Sequence, residues 1–197
     1  QIFQYTRIMA KAMGNNSIAE TTKSRILQST IDLVLESGIN GVSHRKIAER
    51  AGIPLGSTTY HFESLVEILR SAVGLEFERD SVRRRFVVES FKLGQNPTIA
   101  LIELMVPVSQ ADSSQLSAVY QRLGEIQFHP GLRDLLKAHQ RETELDISTV
   151  LKLAGLERVD ASLVMALLEG YLIQWMLYDE SLPWLIARVD FGLRQLG

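Results

Sequence analysis

Apolar residues recur at intervals of three or four positions along most of the chain, which is the spacing of an amphipathic α-helix. No segment shows the convincing alternation of apolar and polar residues that is typical of a half-buried strand. Glycines and prolines divide the periodic segments into nine predicted helices. These helices cover residues 22–37, 44–51, 55–61, 64–91, 97–109, 113–128, 131–154, 161–178 and 183–196. The pattern therefore predicts an all-α fold.

The segment 42–62, which reads VSHRKIAERAGIPLGSTTYHF, has the pattern of a helix-turn-helix. That motif needs a small residue where its two helices touch, a glycine four residues later for a left-handed turn, and a buried side chain in the second helix. Ala48, Gly52 and Thr58 meet these three requirements. The apolar residues expected to hold the second helix in place are Ile47, Ala51, Ile53 and Phe62.

This segment, with one helix before it and a long helix after it, closely resembles the DNA-binding domain of the TetR family of transcriptional regulators. The resemblance is dense between Lys23 and Leu69. It implies a homodimer whose N-terminal domains bind a palindromic double-stranded DNA operator, usually as a repressor. The C-terminal domains would dimerise and bind a small organic inducer. The implied organisation is a disordered tail at 1–16, a helix-turn-helix domain at 17–70 and a helical ligand-binding and dimerisation domain at 71–197.

The resemblance also implies which side chains face DNA. The residues at the family's DNA-facing positions are Ser43, His44, Leu55, Gly56, Ser57, Thr59, Tyr60 and His61. Arg45 and Lys46 belong to the same predicted interface as cations of the helix at 44–51. Two positions depart from the family pattern, since Thr59 stands where a tyrosine is frequent and Leu65 where a lysine is frequent.

The charge distribution changes how DNA would be read. The chain carries a net charge of -2, but residues 1–75 hold 8 Lys and Arg against 6 Asp and Glu. Lysine and arginine are absent from Gly52 to Leu69, so the predicted recognition helix offers no basic fork to guanine. Its apolar and hydroxyl groups are suited to thymine methyl groups and to phosphates. The cations expected to attract DNA are Lys23, Arg25, Arg45 and Lys46.

The predicted helix at 161–178 is apolar on nearly every side. Tyr171, Gln174 and Tyr178 share one stripe of it, and Trp175 stands beside them. An aromatic wall with an amide is suited to a small organic ligand, and an equal alternative is that these residues are ordinary core aromatics. The predicted ligand-binding set is Met105, Tyr120, Tyr171, Gln174, Trp175 and Tyr178.

Small residues at four-residue spacing, Ser162, Ala166 and Gly170, would let a second helix approach the helix at 161–178 closely. Together with the helix at 183–196 they form the predicted dimer surface. The sequence Arg83-Arg84-Arg85 is interpreted as a solvated helix face rather than a nucleic-acid patch. The acidic residues Glu142, Glu144 and Asp146 are likewise interpreted as an ordinary polar face.

Several functions are excluded or disfavoured. The chain has no cysteine, which excludes disulfides, thiol catalysis and cysteine-ligated metal. No pair of histidines has metal-ligand spacing, and no phosphate-binding or nucleophile motif occurs, so neither a cofactor nor a metal nor catalysis is expected. No apolar run is long enough to span a membrane and no secretory signal is visible, so a cytoplasmic location is expected.

A rival interpretation remains open. In it, the chain is a helical small-molecule-binding or catalytic protein whose N-terminal module no longer binds DNA. The departures at Thr59 and Leu65 favour this alternative.

Overall fold

The computed structural model describes residues 21–107 and 113–196, with side chains described throughout except at 113–116 and 118–120. Nine α-helices and one 3₁₀ turn, and no strand, lie within these ranges, which confirms the all-α prediction. The helices are α1 (Thr22–Ser37), α2 (His44–Ala51), α3 (Leu55–His61), α4 (Leu65–Ser90), α5 (Thr98–Met105), α6 (Ser113–Phe128), α7 (Arg133–Leu153), α8 (Ala161–Leu177) and α9 (Leu182–Leu196).

Helix ends follow local chemistry. The side chains of Thr21, Ser43 and Asp160 each accept a hydrogen bond from a backbone N–H of the first turn of α1, α2 and α8. Helix α5 ends at Met105, earlier than the predicted end at 109. Val106 is extended because it precedes Pro107, whose ring disfavours a helical conformation in the preceding residue.

The chain divides into two compact units. The first, which we call the reading unit, contains residues 21–79 and 118–138 of the described chain. The second, the C-terminal unit, contains described residues 80–107, 113–117 and 139–196. The domain boundary predicted at residue 70 falls inside α4, ahead of the change between units at 79 and 80. Helices α4, α6 and α7 each supply residues to both units.

The core of the reading unit combines residues that are far apart in sequence. Its N-terminal part is formed by apolar side chains of α1 to α4, among them Ile26, Ile47 and Phe62. The remaining buried members are Ile126, Leu132 and Leu136. Segment 118–138 is therefore part of the hydrophobic core behind the helix-turn-helix, although the sequence pattern assigned it to the other domain.

Polar contacts also join segment 118–138 to the rest of the reading unit. The Glu125 carboxylate accepts a hydrogen bond of 2.8 Å from the Ile39 N–H, just beyond the C-terminal end of α1. The Arg70 guanidinium forms a bidentate ion pair of 2.7 and 2.8 Å with Asp134 and donates to the Gly131 carbonyl. Arg70 is exposed enough for solvent to screen this pair, so its main effect is to orient α7 against α4.

Two buried arginines of the C-terminal unit correct the interpretation of residues 83–85 as a solvated helix face. Arg83 and Arg84 are buried and only Arg85 is exposed, so this run is not a solvated face of α4. The Arg84 guanidinium donates to Asp80, to Asp146 at 2.8 Å and to Glu142 at 3.3 Å. Glu142 and Asp146 are one helical turn apart and so share a side of α7, which the interpretation of an ordinary polar face did not recognise.

His139 lies in the same cluster. Its Nδ1 is 3.3 Å from Arg84 Nη1, and its Nε2 is 3.5 Å from the Asp80 carboxylate. Burial, more than the neighbouring arginines, lowers the pKa of His139 to about 4. The ring is therefore neutral at pH 7, and the charged groups of the cluster are Arg83, Arg84 and the carboxylates of Asp80, Glu142 and Asp146.

Candidate nucleic-acid interface

The turn between α2 and α3 is a Schellman motif, the common way of ending a helix on a left-handed residue. Gly52 has φ +61° and ψ +40°, and its N–H donates to the Glu49 carbonyl at 3.2 Å. The Ile53 N–H donates to the Ala48 carbonyl at 3.0 Å. As the sequence predicted, Ala48 and Thr58 are buried where the two helices meet.

A hydrogen-bonded pair connects the two helices of the motif. His44 Nδ1 lies 3.0 Å from Thr58 Oγ1, and the Thr58 hydroxyl also donates to the Leu55 carbonyl at 2.9 Å. The structure therefore places His44, which the sequence assigned to DNA, partly buried and joined to α3. Ser43 is partly buried beside it, and its hydroxyl accepts from the Lys46 N–H at 3.3 Å.

The outer face of α3 consists of small and hydrogen-bonding side chains. Leu55, Gly56, Thr59 and Tyr60 are exposed, Tyr60 to 84 %. The Thr59 hydroxyl donates a hydrogen bond of 3.1 Å to the Gly56 carbonyl of the same helix, and the residue is nevertheless exposed. The other two predicted contact residues of α3, Ser57 and His61, are partly buried.

The four cations that the sequence assigned to DNA attraction fall into two groups. Arg45 and Lys46 are exposed on α2, and the Lys46 ammonium donates to the Gly41 carbonyl at 2.8 Å. Lys23 instead lies over the Phe62 ring, with Nζ 5.4 Å from its centroid. Arg25 donates to backbone carbonyls of the motif. Of these four cations, Lys23, Arg45 and Lys46 are exposed and Arg25 is partly buried.

The predicted ligand-binding residues differ in how far they are buried. Trp175 is 5 % exposed in the core, whereas Gln174 and Tyr178 are exposed. Tyr171 is partly buried and packs edge-to-face on Trp184 at 6.5 Å, and Met105 is partly buried at the end of α5. The side chain of Tyr120 lies outside the described residues.

One buried polar group of α8 has no hydrogen-bond partner among the described residues. The Trp175 indole N–H is buried without a hydrogen-bond partner among the described residues. A groove of about 560 Å³ elsewhere in the C-terminal unit contains none of the six predicted residues. Polar side chains of this groove bond to one another, since Asn96 and Arg194 both donate hydrogen bonds to the Asp190 carboxylate. The groove is lined by Gly94, Gln95, Asn96, Pro97, Thr98, Ala154, Leu156, Asp190, Leu193 and Arg194.

Metal-binding clusters and membrane-spanning helices are both missing from the described ranges. No group of three or more histidines and carboxylates there could hold a metal ion. No helix within those same ranges is both long enough and apolar enough to cross a membrane.

Comparison with known proteins identifies the class of protein. No protein-family model matches the chain. The HTH-type transcriptional regulator PksA of Bacillus subtilis is 25% identical over 170 residues, which is 80% of each chain. The HTH-type transcriptional repressor KstR of Mycolicibacterium smegmatis is 39% identical over 67 residues, 34% of this chain and 32% of that one.

Solved structures share the fold over most of the chain. The transcriptional regulator SCO7518 of Streptomyces coelicolor superposes with a TM-score of 0.70 at 26% identity, covering 89% of this chain and 97% of that one. The multidrug binding protein EbrR, solved with ethidium, has a TM-score of 0.66 at 23% identity, covering 89% and 98%.

The helix-turn-helix, the helical C-terminal unit and these matches define a DNA-binding transcriptional regulator. The solved structures and curated relatives that the chain matches include regulators of the TetR family, the family that residues 42–62 resemble. The proteins it matches are regulators rather than enzymes.

Proposed function

We propose that the chain is a homodimeric repressor without enzymatic activity that holds a palindromic operator until a small organic molecule binds its C-terminal unit. The observation that carries the proposal is the exposed outer face of α3, where Leu55, Gly56, Thr59 and Tyr60 stand beside the exposed cations of α2. Such a regulator works where the genome is, so we propose a cytoplasmic location.

Each side chain of the interface has a role set by its surroundings. Gly56 leaves open space on α3, since a β-carbon there would meet nothing within 4 Å, so a base edge can approach its backbone. The methyl groups of Leu55 and Thr59 suit thymine methyl groups, and the Tyr60 hydroxyl suits a phosphate. Arg45 and Lys46 supply the charge, while Ser43, His44, Ser57 and His61 complete the surface as partly buried contacts.

Replacing Arg45 or Thr59 with alanine distinguishes the electrostatic attraction of DNA from the recognition of its bases. Arg45→Ala removes one phosphate contact per subunit, so all sequences bind more weakly and the slope of log affinity against log salt flattens by about 2 per dimer. Thr59→Ala removes a methyl contact to a base, so discrimination at one base pair of each half-site falls by about 1 kcal/mol or more while the salt slope stays constant. Fluorescence anisotropy with an operator selected from random DNA measures both.

The slope of log affinity against log salt for the wild-type protein gives the number of phosphate contacts. Two phosphate contacts per subunit give a dimer slope near -4, from about 0.9 per contact. A slope of -8 or steeper, about twice that expectation, or an unchanged base preference in Thr59→Ala, would mean that other residues face the DNA.

The proposed dimer surface lies on α8 and α9. Ser162, Ala166 and Gly170 are exposed along α8, as are the large apolar side chains of Ile173 and Leu177. Leu177 is 69 % exposed, and Phe191 of α9 is also exposed. Apolar side chains of this size on one helix are typical of a surface that a second subunit covers.

Gly170→Leu tests this surface. Gly170 is exposed and a β-carbon there would meet nothing within 4 Å of the same chain, so a side chain can leave the helix at this position without a clash at its first atom. We expect the wild type to sediment as a dimer and Gly170→Leu to raise the dimer dissociation constant about tenfold or more, because overpacking at an interface costs about 1–3 kcal/mol. Equal dissociation constants in analytical ultracentrifugation would place the interface elsewhere.

The ligand is proposed to contact α8. EbrR was solved with ethidium, and the unpartnered Trp175 N–H of this chain offers a donor for an acceptor atom of a ligand. Tyr171 and Met105 are partly buried and so are suited to the edge of such a site, together with Gln174 and Tyr178 from the predicted set. Because α4 belongs to both units, a shift of α4 on ligand binding would change the separation of the two α3 helices, which must match half-sites about 34 Å or more apart.

A further inference from the structure

The C-terminal end of α2 leaves backbone carbonyls that need donors. A helix end has four carbonyls without partners inside the helix, and the Schellman motif satisfies those of Ala48 and Glu49. The carbonyls of Ala51 and Gly52, the last residue of α2 and the turn glycine, lie in the short segment that leads to α3 at Leu55. The donor that reaches them determines how firmly the turn, and hence α3, is held.

That donor comes from α1. The Arg25 guanidinium donates through Nη2 to the Ala51 carbonyl and, at 3.3 Å, to the Gly52 carbonyl. Its positive charge also suits the negative end of the α2 dipole. A β-carbon at position 52 would lie 3.2 Å from Arg25 Nη2, closer than an ordinary contact, so the guanidinium packs against the glycine of the turn.

We infer that Arg25 is a positioning residue for base recognition, which fixes the turn and thereby α3, rather than a phosphate contact. This inference rests on the proposed DNA binding. An arginine whose Nη2 donates to two carbonyls of its own chain orders the recognition helix before DNA binds. Ser57 N–H donates to the Pro54 carbonyl at 2.9 Å in the first turn of α3, so a displacement of the turn carries α3 with it.

The test compares three arginines of the reading unit by exchanging each for glutamine. Arg25→Gln removes the hydrogen bonds to the Ala51 and Gly52 carbonyls, and Arg45→Gln removes a proposed phosphate contact. Arg50→Gln is the matched control, since the Arg50 guanidinium pairs with the Glu36 carboxylate. Affinity is measured for an operator selected from random DNA with the wild type and for unrelated DNA, each over a range of salt concentrations.

For Arg25→Gln we expect the ratio of operator to unrelated-DNA affinity to fall about tenfold or more, as when a base contact is lost. The affinity for unrelated DNA and the salt slope stay at the wild-type values. Arg45→Gln gives the opposite pattern, with the ratio kept and the slope flattened by about 2 per dimer. Arg50→Gln changes neither. For Arg25→Lys, in which one ammonium replaces the guanidinium beside the two carbonyls, we expect an affinity ratio between those of the wild type and Arg25→Gln.

Hydrogen–deuterium exchange of the DNA-free protein gives a readout that does not depend on operator binding. Arg25→Gln is expected to speed exchange of the amides of 52–57 about tenfold, because the turn then opens more easily, and to leave those of α8 unchanged. Unchanged exchange at 52–57, or an affinity ratio equal to wild type, overturns the inference, as does a flattened slope in Arg25→Gln, which would make Arg25 a phosphate contact. If the wild type selects no DNA at all, the proposed function fails, and the exchange result alone decides whether Arg25 holds the turn.

Discussion

Arg84→Ala is expected to lower the free energy of unfolding by about 1.5–3 kcal/mol, the range for losing a hydrogen bond to a charged group, because solvent still reaches the carboxylates that are left. The Arg84 side chain is 1% exposed and is the common donor to Asp80, Glu142 and Asp146. Without it, Glu142 and Asp146 of α7 lose their arginine partner, and Asp80 of α4 keeps only its ion pair with Arg83. His139 does not replace the arginine at pH 7, because burial has lowered its pKa to about 4 and left the ring neutral.

Urea unfolding monitored by circular dichroism measures this change. Arg85→Ala is the matched control, since Arg85 is the next residue of α4 and is exposed, and its effect is expected to stay within about 0.5 kcal/mol. A loss below about 1 kcal/mol for Arg84→Ala would mean that the cluster is an ordinary surface network.

Gly38→Ala is expected to cost about 2–4 kcal/mol, the sum of backbone strain and a lost hydrogen bond to a charged group. Gly38 ends α1 with φ +74° and ψ 172°, a conformation essentially restricted to glycine. A β-carbon there would lie 2.5 Å from the nearer Glu125 carboxylate oxygen and 2.8 Å from Arg122 Nη1. Glu125 would have to move and would lose its bond to the Ile39 N–H.

Gly124→Ala is the control for this change. Gly124 lies in α6 beside Glu125, and a β-carbon there meets nothing within 4 Å, so the substitution is expected to be neutral or to stabilise by up to about 1 kcal/mol. Gly38→Ala combined with Glu125→Ala separates the two causes, since only the backbone strain should then remain. A Gly38→Ala protein as stable as the wild type would show that α6 is not held against the end of α1 as described.

The features that could be predicted from the sequence are local ones. Gly52 and Thr58 carry the conformational and packing demands of the helix-turn-helix within 21 residues, so the residue pattern alone is enough to recognise the motif. Arg84 could not be assigned correctly because its partners Glu142 and Asp146 lie about 60 residues away, and only the packing of α4 on α7 brings them together. The contribution of Leu132 to the core of the reading unit depends on the same kind of long-range packing.

The pattern of apolar residues along α8 predicts a helix but does not identify what each of its faces contacts. An apolar surface all around α8 predicts contact on every side but does not say whether the partner is the same chain, a second subunit or a ligand. The structure buries Leu172 and Trp175 and exposes Ile173 and Leu177. The exposed pair is the reason for proposing the dimer surface there, and the buried tryptophan is the reason for proposing a ligand at α8.

The central claim is that this chain reads a two-fold symmetric DNA site with α3. Repeated selection of bound sequences from random double-stranded DNA by the wild-type protein tests it most directly. We expect an enriched palindrome whose half-sites are centred about 34 Å or more apart, with thymines at the positions nearest Leu55 and Thr59. Recovery of no enriched sequence, or of a single site without two-fold symmetry, would contradict it.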